Sequence, residues 1–227
     1  MQKVLTENLW MGFRSLFCLV SNKELEKNPD VISLATPWFV FFVFLEFIVG
    51  RYRGYQNYRI NDTIISLLLG SLSEQAKLWS RTVLFLIYPK VYEKIGIRIF
   101  DDNDSFVAFL FAMFMVDFFY YWFHRFCHEF HFSFATHSVH HSGEDFNLAT
   151  ALRQGSYQSL ISIFFTLPLA IIIPPPAIFG HFFMNTTSQF WFHTSQIGDL
   201  GLIEYILNTP SAHRVHHAPP GNCNVST

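Results

Sequence analysis

The segment from Ser105 to Phe123 most constrains the fold, because its 19 residues contain a single charged side chain, Asp117. A helix needs about 20 mainly apolar residues to cross the hydrocarbon core of a bilayer. The whole chain is 51% hydrophobic and 19% aromatic but only 14% charged, whereas about a quarter of the residues in soluble domains are charged. The sequence therefore predicts an all-α, polytopic transmembrane helical bundle. A very aromatic helical core of a soluble protein is the alternative.

Four further segments are candidate spans: residues 37–50, part of 63–88, 157–173 and 177–192. Three consecutive prolines at 174–176 must break a helix, so the last two segments predict a hairpin. Arginines at positions 51, 53 and 59 place the end of the first span in the cytoplasm by the positive-inside tendency. Alternating crossings then bring the histidine-carrying ends of the spans together on the cytoplasmic face.

Eight of the eleven histidines fall into three clusters that read HRFCH, HSVHH and HRVHH. Imidazole is the commonest metal ligand, and residues at i, i+3 and i+4 share one face of a helix, so each cluster directs nitrogens to one point. A structural zinc site closes with four ligands, so eight imidazoles predict two ions. Imidazole binds iron, copper, nickel and zinc alike, so the ligand type does not identify the metal. The clusters are His124 and His128; His137, His140 and His141; and His213, His216 and His217.

Asp117 lies on the same helical stripe as Tyr121, His124 and His128, at spacings of four, three and four residues. A carboxylate inside a membrane is costly and indicates a functional role. Metal-bound histidines commonly donate their second N–H to a carboxylate. Because Asp117 lies about 10 Å along the helix from His124, we expect it to orient a histidine of another cluster or an arginine. A polar contact between helices is the alternative.

The histidine motifs lie in longer runs of sequence: DFFYYWFHRFCHE from Asp117, HSVHHSGEDFNLATALRQ from His137, QFWFHT from Gln189 and LNTPSAHRVHH from Leu207. With these runs the chain resembles the fatty acid hydroxylase superfamily of membrane di-iron oxygenases, from about residue 35 to His217. Within the superfamily, the sequences of these runs most resemble those of members that open the ether bond of alkylglycerols. The resemblance implies a monooxygenase of the endoplasmic reticulum membrane that uses dioxygen, two iron ions and tetrahydrobiopterin. A sterol or fatty acyl hydroxylase or desaturase is the alternative.

The resemblance assigns the eight clustered histidines as metal ligands and adds His193, for which a structural role is the alternative. Glu129 would bind the guanidine-like edge of the pterin, unless it is only a solvated charge at a helix end. Asp117 and Glu144 are the candidate catalytic residues, with Glu144 hydrogen-bonded to a metal ligand. Asp145 and Asn147 remain open between that role and capping a helix that begins near Asn147.

Hydrolysis by zinc-bound hydroxide is a rival use of such a site, but eight histidines without a bridging carboxylate argue against it. A net charge of −2 and the absence of a basic tract argue against nucleic acid as a partner. The expected partners are the lipid substrate, dioxygen and the membrane.

We predict one membrane-embedded domain over residues 1–227, with a histidine-cluster core at 124–217. The sequence ends ten residues after His217, whereas members of the superfamily continue through further aromatic and hydrophobic segments. The expectation is therefore a C-terminally truncated form with weak turnover. A second alternative follows, namely an impaired isoform that acts only as a metal-binding membrane protein.

Overall fold

The computed structural model describes residues 2–27, 30–55, 58–100 and 105–218, and these residues form helices joined by loops, with no β-strand. The all-α prediction is confirmed. The α-helices are α1 (Gln2–Ser15), α2 (Asn22–Lys27), α3 (Val31–Tyr52), α4 (Ile60–Ile95), α5 (Phe106–Glu129), α6 (His131–His141), α7 (Leu148–Leu152), α8 (Gln158–Thr166), α9 (Pro175–Ser188) and α10 (Pro210–His217). Short 3₁₀ turns occupy Leu167–Ile171, Gln189–Phe192 and Gly201–Tyr205.

Within the described residues, two helices, α3 and α5, are long and apolar enough to cross a membrane, with mean hydropathies of 2.1 and 1.8 over their most apolar windows. Only 22% of each window is buried inside the protein, whereas the core helix of a soluble protein is mostly buried. Large contiguous apolar surfaces of this kind mark contact with another apolar phase. The outward faces of α3 and α5 are therefore suited to lipid, and the soluble alternative loses its support.

The remaining predicted spans have a different form. The segment 63–88 lies within α4, a continuous 36-residue helix that includes Pro89. The predicted break at Pro174 is present, but α9 has only 14 residues, of which nine are buried. At 1.5 Å per residue it measures about 21 Å, short of a hydrocarbon core of about 30 Å. The hairpin is thus not a pair of full spans, and polytopic topology remains a prediction.

Helix α9 is the central element, because it contacts α2, α3 and α5. Its Ile178 and Met184 are fully buried in the main apolar core. Gly180 lets α2 approach closely, since a Cβ at this position would lie 2.5 Å from the Cβ of Leu25. The buried α9 therefore fixes the position of the 3₁₀ turn Gln189–Phe192 and of His193, which follows the turn directly.

Four segments bring histidines to one end of the helical assembly: the last turns of α5, the helix α6, the turn after α9, and α10. The chain turns sharply after α5, since α6 begins only two residues after α5 ends. Thr209 begins α10 by accepting a hydrogen bond from the Ala212 N–H. Residues 219–227, on which the expectation of a truncated end rests, lie outside the described residues.

Candidate metal centre

Nine histidines from these four segments converge into two groups, and within each group the candidate ligand nitrogens lie within 4.8 Å of one another. The five-histidine group is His124, His128, His137, His141 and His216. The four-histidine group is His140, His193, His213 and His217. Every histidine that the sequence placed at a ligand position is therefore in one of the groups, including His193.

The structure divides both HxxHH motifs between the two groups, where the sequence predicted one point per cluster. Helix α6 gives His137 and His141 to the five-histidine group and His140 to the four-histidine group. Helix α10 gives His213 and His217 to the four-histidine group and His216 to the five-histidine group. At 100° per residue, the i+4 residue is rotated by about 40° from the first in one direction, and the i+3 residue by about 60° in the other direction. Each motif therefore bridges two sites.

Distances in the five-histidine group match ligands of a single ion. The Nε2 atom of His137 lies 3.1 Å from the Nε2 atoms of His128 and His141. The Nε2 atoms of His124 and His216 lie 2.9 Å apart. Two imidazoles bound to one ion at about 2.0–2.1 Å have nitrogens about 3 Å apart. One ion can therefore bind these nitrogens with little movement of the side chains.

The four-histidine group contains a contact that needs a cation. His140 Nδ1 donates to the carbonyl of Arg153 at 2.8 Å, and His193 Nδ1 donates to the carbonyl of Gln189 at 3.0 Å. These bonds assign the ring protons to Nδ1, so both Nε2 atoms carry lone pairs. The two Nε2 atoms face each other at 3.2 Å, and the Nε2 of His213 lies 3.0 Å from that of His193. Facing lone pairs repel unless a cation lies between them.

The protonation states of these histidines suit metal binding. Burial lowers the pKa of His137 to about 4, partly opposed by its hydrogen bond to Gln158. Burial, reinforced by neighbouring histidines, lowers the pKa of His141 to about 3 and that of His216 to about 4. The pKa of the buried His140 lies well below its usual range for the same reasons. At pH 7 these side chains are neutral, which is the form that binds a metal.

Two buried ring nitrogens, Nδ1 of His124 and Nε2 of His217, have no hydrogen-bond partner among the described residues. Buried polar atoms nearly always have one, and a metal ion would supply it for His217 in the four-histidine group. The donor set, the spacing and the orphaned nitrogen together fit two ions with all-imidazole ligation. Imidazole suits iron among other metals.

Arg153, whose backbone carbonyl accepts the His140 proton, is a buried residue that the sequence did not single out. Its side chain is 7% exposed and donates to Asp62 at 3.1 Å, to the Val139 carbonyl at 3.0 Å and to Ser142 at 3.0 Å. Its own carbonyl accepts the His140 proton. The arginine thus fixes α6 against the beginning of α4 and sets the ring orientation of one ligand.

Glu46 is a second buried residue that sequence reasoning missed. Its carboxylate accepts hydrogen bonds from the Leu148 N–H at 2.7 Å and from the Thr194 hydroxyl. Leu148 begins α7, which Asn147 caps, and Thr194 follows His193 directly. Glu46 therefore fixes the position of two loops beside the site. The signal was available, because Glu46 is the single carboxylate of the apolar helix α3, much as Asp117 is the single charge between Ser105 and Phe123.

Replacing Glu46 with alanine is expected to lower the free energy of unfolding by about 2–3 kcal/mol, since two buried donors lose their acceptor. It should also lower the metal content of the four-histidine group, because Thr194 adjoins His193. Denaturant unfolding in detergent and metal analysis measure the two effects. The matched control is Glu7→Ala on the exposed face of α1. Equal behaviour of the two variants would show that Glu46 does not hold the loops.

Asp117 does not contact a histidine directly. It accepts a hydrogen bond from the Asn185 amide at 3.2 Å, and the Asn185 side-chain oxygen accepts from Gln189 at 2.7 Å. The Gln189 carbonyl in turn accepts the proton of His193. Asp117 is therefore connected to one metal ligand through two intervening residues.

The other acidic candidates pair with arginines. Glu129 forms an exposed ion pair with Arg125, at 2.7 Å. Glu144 pairs with Arg59, and both side chains are exposed. Asp145 is buried and accepts from the backbone N–H of Arg59 at 2.7 Å and from its guanidinium at 3.1 Å. The carboxylates of Glu144 and Asp145 thus pair with Arg59 at the junction with α4, and not with an imidazole of the described residues.

Asn147 takes the capping role that the sequence left open. Its side chain accepts from the Ala149 N–H at 3.0 Å, and the Thr150 hydroxyl accepts from the Asn147 N–H at 3.2 Å. This reciprocal capping box begins α7.

A cavity of about 410 Å³ opens beside the two histidine groups. His124 and His137 line it from one group, and His140, His193 and His213 from the other. Its other walls are mainly apolar and come from α3, α4, α5, α8 and α9; they include Ile32, Phe39, Val40, Leu67, Leu84, Phe123, Phe182 and Phe190. The cavity therefore offers an alkyl chain a mainly apolar path to both groups.

Tyr120 is a further cavity residue that the sequence did not single out. Its ring stacks on that of His124, with centroids 5.9 Å apart. Tyr121, which the sequence placed on the histidine stripe, is 54% exposed. The choice between the two adjacent tyrosines depends on the angle of α5 to its neighbours, which periodicity does not give.

Comparison with protein families agrees with this geometry: the chain belongs to the fatty acid hydroxylase family, whose model matches residues 109–227. Among curated proteins it is similar to alkylglycerol monooxygenases, with 41% identity to that of Homo sapiens over 219 residues and 40% to that of Danio rerio over 218. The relative from Caenorhabditis elegans is 33% identical over 219 residues. The predicted family is thus confirmed.

These alignments cover 93% of this chain but 49%, 49% and 43% of the three relatives, respectively. The chain therefore spans about half the length of the curated relatives it matches. No solved structure matches it.

Proposed function

We propose that the chain is a membrane monooxygenase that hydroxylates a lipid C–H bond, namely that of the carbon next to the ether oxygen of an alkylglycerol. The observation that carries the proposal is the pair of histidine groups at the wall of an apolar cavity. The names of the similar proteins support the substrate class. Tetrahydrobiopterin is the proposed reductant and dioxygen the oxidant.

One oxygen atom of dioxygen enters the C–H bond, and the other leaves as water with two electrons and two protons from the tetrahydropterin. The product is a hemiacetal, whose C–O bond then breaks to give an aldehyde and the free glycerol. Hydroxylation of the carbon next to the ether oxygen thus opens the ether.

We assign one iron ion to each histidine group. The metal pair would supply the activation of dioxygen, which is the cofactor's own chemistry. The protein's residues orient the rings: the carbonyls of Arg153 and Gln189 hold two imidazole protons, and Gln158 accepts from His137. The apolar walls hold the alkyl chain and exclude water.

The acidic candidates act through neighbours in this proposal. Asp117 is a positioning residue for the turn that carries His193, through Asn185 and Gln189. Glu144 lies on the loop between α6 and α7, and its ion pair with Arg59 attaches that loop to the beginning of α4. Glu129 would exchange its partner Arg125 for the guanidine-like edge of the pterin.

The location is proposed to be the endoplasmic reticulum membrane, with several spans and the metal centre on the cytoplasmic face. The apolar outward surfaces of α3 and α5 support insertion into a bilayer. A metal centre beside helix ends would let a lipid reach the cavity sideways, without leaving the membrane.

The test is turnover of a substrate panel by the detergent-purified, iron-loaded chain with tetrahydrobiopterin and dioxygen. Aldehyde release from an alkylglycerol is expected, and it should require both the pterin and iron. Oxidation of a sterol or a fatty acid in place of the alkylglycerol would reassign the substrate within the family. Bound iron without oxidation of any lipid would support the non-catalytic, metal-binding alternative.

A further inference from the structure

Three charged side chains of α4 line the cavity, among otherwise mainly apolar walls: Glu74, Lys77 and Arg81. The Lys77 ammonium lies 2.7 Å from the Glu74 carboxylate, and the Arg81 guanidinium lies 3.0 Å from it. Arg81 also lies over the ring of Phe183, 5.2 Å from its centroid. We name these three residues the α4 charge cluster.

The charges of the cluster do not cancel. One carboxylate faces two cations, so the cluster carries a net charge of +1. Among the described residues, Glu74 is the only hydrogen-bond partner of the Lys77 ammonium and of the Arg81 guanidinium. Lys77 and Arg81 thus retain free donors beside the cavity, where an uncompensated charge is costly. A bound anion would offset that cost.

The cluster lines the same cavity as five of the site histidines. Gly70 of α4 packs against the carbonyl of Leu152, where a Cβ would lie 2.4 Å away. The next residue, Arg153, holds His140 through its carbonyl. Glu74 lies one helical turn beyond Gly70, which is about 6 Å along the axis. Side chains tilt toward the N-terminus of their helix, so Lys77 and Arg81 lean back toward the histidines.

We propose that the α4 charge cluster is the subsite for the oxygen-rich, negatively charged head group of the lipid substrate, such as the phosphate of a single-chain ether lipid. The inference rests on the proposed function and specifies which head group the site selects. Lys77 and Arg81 donate charge-assisted hydrogen bonds to the phosphate oxygens. The carboxylate of Glu74 accepts from a hydroxyl of the glycerol.

The spacing also suits the reaction. In a glyceryl ether the reacting carbon lies only a few bonds from the glycerol hydroxyls, so a head group held near Glu74 keeps that carbon near the histidines. The apolar tail then lies along Ile32 and Phe39 of α3. Val40, on the same wall, is 67% exposed, which gives the tail a way out toward the bilayer.

The experiment measures binding without turnover, using iron-loaded protein in detergent without pterin or dioxygen. The probes share one hexadecyl ether chain and differ only in the head, which is neutral glycerol or glycerol phosphate. The wild-type chain is expected to bind the phosphate lipid at least about tenfold more tightly, the usual size of a charge-assisted hydrogen bond. Lys77→Gln and Arg81→Gln should each remove most of this preference.

Glu74→Gln gives the opposite prediction, because it raises the net charge of the cluster and should strengthen the phosphate preference. The matched control is Lys90→Gln, on the same helix, exposed and outside the cavity, which should leave the preference unchanged. Iron content and the unfolding midpoint check that each variant folds. If a variant fails to fold, the wild-type chain's relative affinity for the two lipids still tests the inference.

Equal affinity of the wild-type chain for the two lipids would overturn the inference. A shift of Glu74→Gln in the same direction as Lys77→Gln would do so too, because it would indicate a structural role. Turnover of alkylglycerol without any head-group preference refutes the subsite and leaves the proposed function intact. A preference in a chain that oxidises no lipid refutes the proposed function and leaves the subsite.

Discussion

Replacing His140 with alanine is expected to lower bound iron from two ions to about one per chain and to abolish lipid turnover. His140 belongs to the four-histidine group, and its Nε2 lies 3.2 Å from that of His193. Removing it leaves three nitrogens for that ion while the five-histidine group keeps all its members. Metal analysis of detergent-purified protein, paired with the turnover assay, measures both effects.

The matched control is His131→Ala. His131 lies at the beginning of the same helix, is exposed and belongs to neither histidine group, so iron content and turnover should stay at the wild-type level. A loss of iron in this control equal to that of His140→Ala would indicate general unfolding of α6. Full retention of metal after joint replacement of His137, His140 and His141 would rule out the centre.

Replacing Arg153 with alanine is expected to lower the free energy of unfolding by about 3–5 kcal/mol, because breaking a buried ion pair leaves the other charge unpaired. Arg153 and Asp62 are 7% and 9% exposed. Iron content should fall as well, since the Arg153 side chain holds in place the backbone whose carbonyl orients His140. Arg153→Lys should recover only part of both losses, because lysine cannot reproduce the forked contacts to Asp62, Val139 and Ser142.

A double-mutant cycle separates the ion pair from other effects. Replacing Asp62 and Arg153 together should cost less than the sum of the single replacements, since neither charge is then left without its partner. Arg125→Ala, which breaks the exposed pair with Glu129, is the control and should leave the unfolding midpoint unchanged. Additive losses in the cycle would mean that the two side chains act independently.

The spacing of the histidines predicted eight candidate ligands, the family resemblance added His193, and the structure brings all nine together. The grouping of the eight has a local cause. Residues at i, i+3 and i+4 lie on neighbouring positions of a helix whatever surrounds it, so HSVHH and HRVHH indicate ligand helices without any knowledge of the fold.

The residues that hold the ligands in place could not be found in this way. Arg153 contacts Asp62, 91 positions away in the chain, and Glu46 contacts Thr194, 148 positions away. Such partners depend on how α3 and α4 lie against the loops of α6 and α9. In the sequence, Arg153 is only part of a motif that supports the family resemblance, and its role follows from burial.

By itself the sequence determined that the chain is helical, apolar on its outward faces and equipped with a set of imidazoles, because composition and helical periodicity are local properties. Only the tertiary structure decided how these imidazoles divide, with each HxxHH motif contributing to both groups. The physical reason is the rotation around a helix: neighbours at i+3 and i+4 point in directions about 100° apart. Which ion each one reaches depends on the helices packed against it.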